Sequence, residues 1–150
     1  MEPSYQHTQT GYLHWVCLVP AAVLAAVAWL TVDRPVLLIT FATSAAVCLL
    51  LAACCYSLTV ADVGDELTVR FGPVPLFHTS VRYDLIEHVE AARSTWLDGL
   101  GVHYVPGRGW IFNVHGRDCV EIRCTDGRKL RIGTDEPERL TEFVRSRVNR

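Results

Sequence analysis

The sequence predicts a membrane α-helical hairpin followed by a mainly-β domain, a bent sheet or partly open barrel with a C-terminal helix. Three observations point there. Two apolar runs near the start of the chain contain no Asp, Glu, Lys or Arg. A series of short alternating segments follows, split by turns rich in Gly and Pro. The chain then closes on an amphipathic stretch. Half of the residues are hydrophobic and 20% are charged, and all of the charge lies outside the two runs. This asymmetry divides the chain into residues 1–10, a short polar N-terminus read as disordered, 11–56, the hairpin, and 57–150, the domain.

The first run, 11–32, reads GYLHWVCLVPAAVLAAVAWLTV and the second, 35–56, reads PVLLITFATSAAVCLLLAACCY. Each has about 22 residues, and ~20 helical residues cross ~30 Å of hydrocarbon. Only Asp33 and Arg34 stand between them. A helix apolar on every side belongs in a deep core or a membrane, and the rest of the chain is too short to wrap two such helices. A cleaved signal peptide starts with basic residues. Residues 1–10 hold none, and a second run follows at once.

Aromatic residues fit the same picture. Amphipathic rings favour the headgroup level. An up-and-down hairpin places Tyr12, Trp15 and Tyr56 at one membrane interface and Trp29 at the other. His14 reads as an interfacial imidazole, and Pro20 as a kink inside the first helix. Helices in lipid pair through small residues that let backbones approach. Ala22 and Ala26, with Ala42 and Ala46, are the expected helix seam; another protein or another copy is the alternative occupant of those faces.

Two spans put both termini on one side. The basic residues near the spans do not decide which side. Thiols do more. Cys119 and Cys124, five apart on one expected strand, point to opposite faces and cannot bond each other. Unpaired thiols suit a reducing compartment. The expectation is therefore a multi-pass protein of the cell membrane with cytoplasmic termini. Cys17, Cys48, Cys54 and Cys55 read as small hydrophobic residues.

The domain starts directly at Ser57, with no flexible linker. About seven short strands are expected between Ser57 and Ile132. Leu85–Ala92 fits strand or helix by itself, and its surroundings favour strand. Asp126-Gly127 between alternating segments is the strongest hairpin signal, read as a turn with φ > 0 at both residues. In the final helix Asp135 is the expected cap, with Glu138 three residues on and Pro137 in the first turn. Leu140, Phe143, Val144 and Val148 form one apolar stripe. Arg145, Arg147 and Arg150 suit the negative end of the helix dipole.

Three segments carry a resemblance: Ile86-Glu87-His88-Val89, Gly101 to Gly109-Trp110, and the ending Asp126-Gly127-Arg128-Lys129-Leu130-Arg131-Ile132 through Leu140. Over about Ser57–Val148 the chain resembles a bacterial pleckstrin-homology-like domain, as found in small two-helix membrane proteins. The resemblance implies the fold and is silent about a ligand. Phosphoinositide-binding relatives use basic residues in the first strand-to-strand loop. Here that loop, Ala61 to Glu66, is acidic and repels phosphate. Arg108, Arg128 and Lys129 lie in other loops, and headgroup binding by these three is the remaining, lower-ranked alternative.

No catalytic, cofactor or metal site is expected. The histidines show no HxxxH or HExxH spacing, and Cys119 and Cys124 are not a CxxC pair. Gly99-x-Gly101 and Gly107-x-Gly109 read as tight turns. His103, Tyr104, Asp84 and Glu87 do not make a catalytic set by spacing, and His115 stands alone. A near-neutral domain gives no basis for nucleic-acid binding. The functional expectation is an anchored interaction module that binds a protein partner. A subunit assembled through the hairpin comes second, and a small enzyme third.

Overall fold

The computed structural model describes residues 5–95 and 99–149. Two helices follow the first strand, the remaining strands of two sheets come next, and a third helix closes the chain. The first element is a strand, β1 (Gln6–Thr10). This corrects the reading of 1–10 as disordered. Residues 1–4 of that segment lie outside the described residues. QHTQT has no apolar alternation to betray a strand, and its stability comes from a distant partner.

That partner is β2 (Ser57–Val63), and between the two strands the chain makes its helical excursion. Helix α1 spans Trp15–Leu30 and α2 spans Pro35–Cys54. Thr10 pairs directly with Ser57, and the Gly11 amide donates to the Tyr56 carbonyl. The hairpin is thus the connection inside one antiparallel strand pair. Both of its ends are fixed in the sheet.

The two helices pack along a seam with a period of 3.5 residues, the spacing that keeps one face turned to a partner helix. Cys17, Ala21, Leu24, Ala28 and Thr31 lie on it from α1, and Leu38, Phe41, Ala45, Cys48 and Ala52 from α2. Ala21, Ala28, Ala45 and Ala52 are its buried members. Ala22, Ala26, Ala42 and Ala46 are exposed, which corrects the expected seam. The four-residue spacing was real, but the contact row lies one residue away, about 100° around each helix. Pro20 is accommodated inside α1 without interrupting it. Its ring and missing N–H sit on the exposed side.

Strands β1, β2, β3 (Glu66–Gly72) and β4 (His78–Arg82) form an antiparallel meander in that order. A turn of 3-10 helix, Tyr83–Leu85, leads to β5 (Ile86–Arg93), so the ambiguous Leu85–Ala92 segment is mostly strand. The second sheet is mixed. Its order is β5, β8 (Asp118–Cys124), β9 (Lys129–Gly133), β7 (Gly109–Asn113), β6 (Gly101–Val105). Only β7 and β9 run parallel. From Ser57 onward the described residues hold eight strands where about seven are expected, and β1 makes nine. Leu58, Val69 and Phe71 of one sheet meet Val120, Ile122 and Ile132 of the other in one core.

Helix α3 (Pro137–Val148) packs on β5 and β8. Leu140 and Val144 are fully buried, with Phe143 and Val148 beside them, as the stripe predicts. The cap differs. Glu136 occupies the cap position without a side-chain cap bond, and its own amide donates to the Thr134 hydroxyl at 3.1 Å. Asp135 is taken by His7 Nε2, 2.6 Å away. The β8–β9 turn also differs. It is a four-residue loop in which Gly127 alone takes the left-handed region, at φ +84°; longer loops of this kind do not ask it of Asp126.

Candidate functional site

The residues expected at a membrane interface gather where the hairpin meets the domain. Tyr12, Trp15 and Tyr56 are all about half exposed there. His14 links them: its ring lies 5.3 Å from Trp15 and 5.2 Å from Tyr56. Its Nδ1 is buried with no hydrogen-bond partner among the described residues. Tyr12 packs edge-on against His115 at 5.2 Å. Trp29 stands at the far end of α1, 80% exposed. A cleft of about 310 Å³ opens at this junction, lined by His14, Leu18, Leu49, Ala52, Tyr56 and Pro73. Its walls are almost wholly apolar.

Close backbone contact makes the junction stiff. A Cβ at Gly11 would collide with the Val114 carbonyl, so only glycine lets the chain leave β1 there. Leu13 reaches back to pack on the core. The helices beyond this point are bare. Val36, Ile39 and Leu50 are 75%, 62% and 52% exposed. Of the two, α2 alone is long and apolar enough to cross a membrane. At 16 residues α1 falls short of that length, though single turns closed by i→i+3 bonds extend it at each end, to Tyr12 and Thr31.

At the other end of the domain the turns Val105–Gly109 and Thr125–Arg128 flank a second cleft of about 330 Å³. Tyr104 and Trp110 stand on it, edge to face at 5.8 Å and both exposed. Arg128 and Lys129 line it. Each serves its own neighbourhood: Arg128 Nε donates to Asp126 at 2.6 Å, and Lys129 Nζ donates to the Gly107 carbonyl at 2.9 Å. Arg108 donates to the Thr95 hydroxyl at 2.8 Å. The cations therefore stabilise turns.

Two charge clusters escaped the sequence reading. In the first, Asp62 of the loop read as acidic and phosphate-repelling is almost fully buried. It accepts hydrogen bonds from Tyr83 Oη at 2.8 Å and from Arg147 of α3. Burial, then the bond to Asp62, pushes the Tyr83 phenol well above its ordinary pKa. In the second, Glu121 is buried between Arg131 and Arg123, whose Nε atoms each donate at 2.8 Å. Burial alone would raise the Glu121 pKa. The two arginines outweigh it and hold the carboxyl below its usual range. Glu121 and Arg131 pair across the β8–β9 turn, but a two-residue turn at Asp126-Gly127 would set Glu121 opposite Ile132, so the sequence spacing did not announce the pair.

The structure does not bring Asp84, Glu87, His103 and Tyr104 together. Glu87 lies on β5 and His103 and Tyr104 on β6, the opposite edges of the five-stranded sheet, while Asp84 is held by Arg82 at 2.6 Å. Among the described residues no three His, Cys, Asp or Glu side chains are placed to share a metal ion. Cys124 belongs to the core and Cys119 faces Ser94 on the other side of the sheet; neither is in a disulfide. No family model matches the chain, and no curated protein does.

Proposed function

We propose that the chain is a membrane-anchored interaction module without a catalytic role. In this reading the hairpin spans the bilayer twice, and a pleckstrin-homology-like domain stands on the cytoplasmic face, where it binds a protein partner. The observation that carries it is the bare apolar surface of α1 and α2. Soluble monomers rarely expose a continuous apolar patch beyond a few hundred Å², whereas lipid solvates such a surface at no cost. The polar atoms agree, because Thr40, Thr43 and Ser44 return their hydroxyls to carbonyls of their own helix at 2.8 Å.

Attachment through both β1 and β2 gives the domain no slack. One end is held at the bilayer, and the Tyr104–Trp110 cleft faces away from it. Exposed Trp and Tyr are the side chains that most often anchor protein interfaces. The test is a photocrosslinker placed at Tyr104 in native membranes, with adducts identified by mass spectrometry. One reproducible protein adduct, lost when Trp110 is replaced by Ala, is expected. Absence of any protein adduct contradicts a partner at this face.

A second reading is a subunit assembled through the hairpin. Exposure of Ala22, Ala26, Ala42 and Ala46 favours it, since these small residues face outward, where another helix can approach.

A further inference from the structure

We propose that the loop between β3 and β4 is a third point of membrane contact, seated at the boundary of headgroups and acyl chains. The inference rests on the anchoring proposed above. The segment Phe71-Gly72-Pro73-Val74-Pro75-Leu76-Phe77 carries no charge. Its base is fixed. Phe77 packs on the core and meets the Phe71 ring at 6.4 Å, and the Phe71 amide donates to the Phe77 carbonyl at 2.9 Å. Its tip is tight, with the Leu76 amide donating to the Val74 carbonyl at 2.8 Å. Two prolines stiffen it further. This rigid tip turns aliphatic side chains outward: Val74 is 40% exposed and Leu76 56%.

The position of the loop names its occupant. Gly72 pairs with Ser57, the first residue after the hairpin. Pro73 forms a wall of the apolar cleft with Leu18, Leu49 and Tyr56. The loop therefore lies beside the helices just where they enter the domain, at the level of Tyr12, Trp15 and Tyr56. Its apolar tip is continuous with that aromatic belt. Lipid is the partner that covers a bare aliphatic tip at this level, in the manner of interfacial anchors whose apolar face sinks only as far as the acyl boundary. With two strand attachments and one loop, the tilt of the domain is set, and the Tyr104–Trp110 cleft is aimed away from the membrane.

The experiment places p-benzoylphenylalanine singly at Leu76, at Trp29 and at Trp110 in the full chain. The membranes are irradiated, and adducts are sorted by mass into lipid and protein. Expected are lipid adducts at 76 and 29 and none at 110. A lipid adduct at 29 but not at 76 overturns the loop contact and leaves the anchoring intact. A protein adduct in place of lipid at 76 also overturns it. Absence of lipid at 29 removes the anchoring itself and the loop contact with it.

Discussion

Asp62 and Arg147, 85 residues apart, form a partly buried ion pair, with the carboxylate on its buried side, that ties β2 to the last turn of α3. Arg147 also lies over the Tyr83 ring, 5.5 Å from its centroid. The contact locks the C-terminal helix against the end of the domain far from the hairpin. Asp62→Ala takes away the acceptor of the Tyr83 O–H, and a buried donor without a partner costs about 1–3 kcal/mol. The melting temperature of the domain should fall by roughly 4–8 °C for each kcal/mol lost. Near-ultraviolet circular dichroism on heating in detergent reads the loss. Arg147→Met in the Asp62→Ala background should add little further loss, because the two residues act through one contact.

Gly11 tests the stiffness of the junction. Its Cβ position is occupied by the Val114 backbone, whereas Gly64, at φ +69°, has open space around it. Gly64→Ala pays only for the left-handed backbone, about 1–2 kcal/mol. Gly11→Ala forces two backbones apart, at or above the upper end of the ~1–3 kcal/mol range of overpacking. Limited proteolysis of the solubilised chain should cut Gly11→Ala at the junction and spare Gly64→Ala there.

The helix seam separates two alanine rows. Ala21→Leu and Ala45→Leu intrude on the packed face and should loosen the hairpin, while Ala22→Leu and Ala46→Leu point outward. A disulfide between cysteines engineered at Ala28 and Leu38, in a background cleared of the native thiols, reports hairpin closure. It should form less readily with the first pair of substitutions and be unaffected by the second. If Ala22→Leu and Ala46→Leu instead dissociate an assembly in native membranes, the outward faces carry a subunit contact.

Acid should act through Glu121. Its carboxyl titrates below the ordinary value of about 4.3, because Arg123 and Arg131 outweigh the burial that opposes them. A lowered folded-state pKa contributes stability above the unfolded value and loses it as pH falls through the folded one. The native chain should therefore lose melting temperature steeply below about pH 4. Glu121→Gln should melt lower at pH 7 and respond less to acid, so the two curves approach each other at low pH. Parallel curves would show that other carboxylates dominate the acid response.

Periodic features were legible in the sequence, and long-range ones were not. The apolar runs, the stripe Leu140–Val144 and the Asp126-Gly127 hairpin each announce themselves within a few residues. β1 does not, since Gln6–Thr10 is polar and its stability derives from Ala61–Ser57, about 50 residues on, and from Gln9, whose amide bonds the Gly133 carbonyl. The helix seam was displaced by one residue because alanine is frequent in both runs, so small-residue spacing selects several faces equally well. Asp62 reads as a solvated loop acid from its neighbours alone, because the groups that enclose it, Tyr83 and Arg147, lie far along the chain. The parallel β7–β9 pair joins strands separated by a complete intervening strand, and no local pattern encodes that.

Carbonate extraction of native membranes tests the anchoring most directly. The washed membranes are pelleted, and the full chain is followed through pellet and supernatant. Two lipid-spanning helices keep the chain in the pellet until detergent is added. Release into the alkaline supernatant, followed by a monodisperse profile in plain buffer, would show that protein rather than lipid covers α1 and α2.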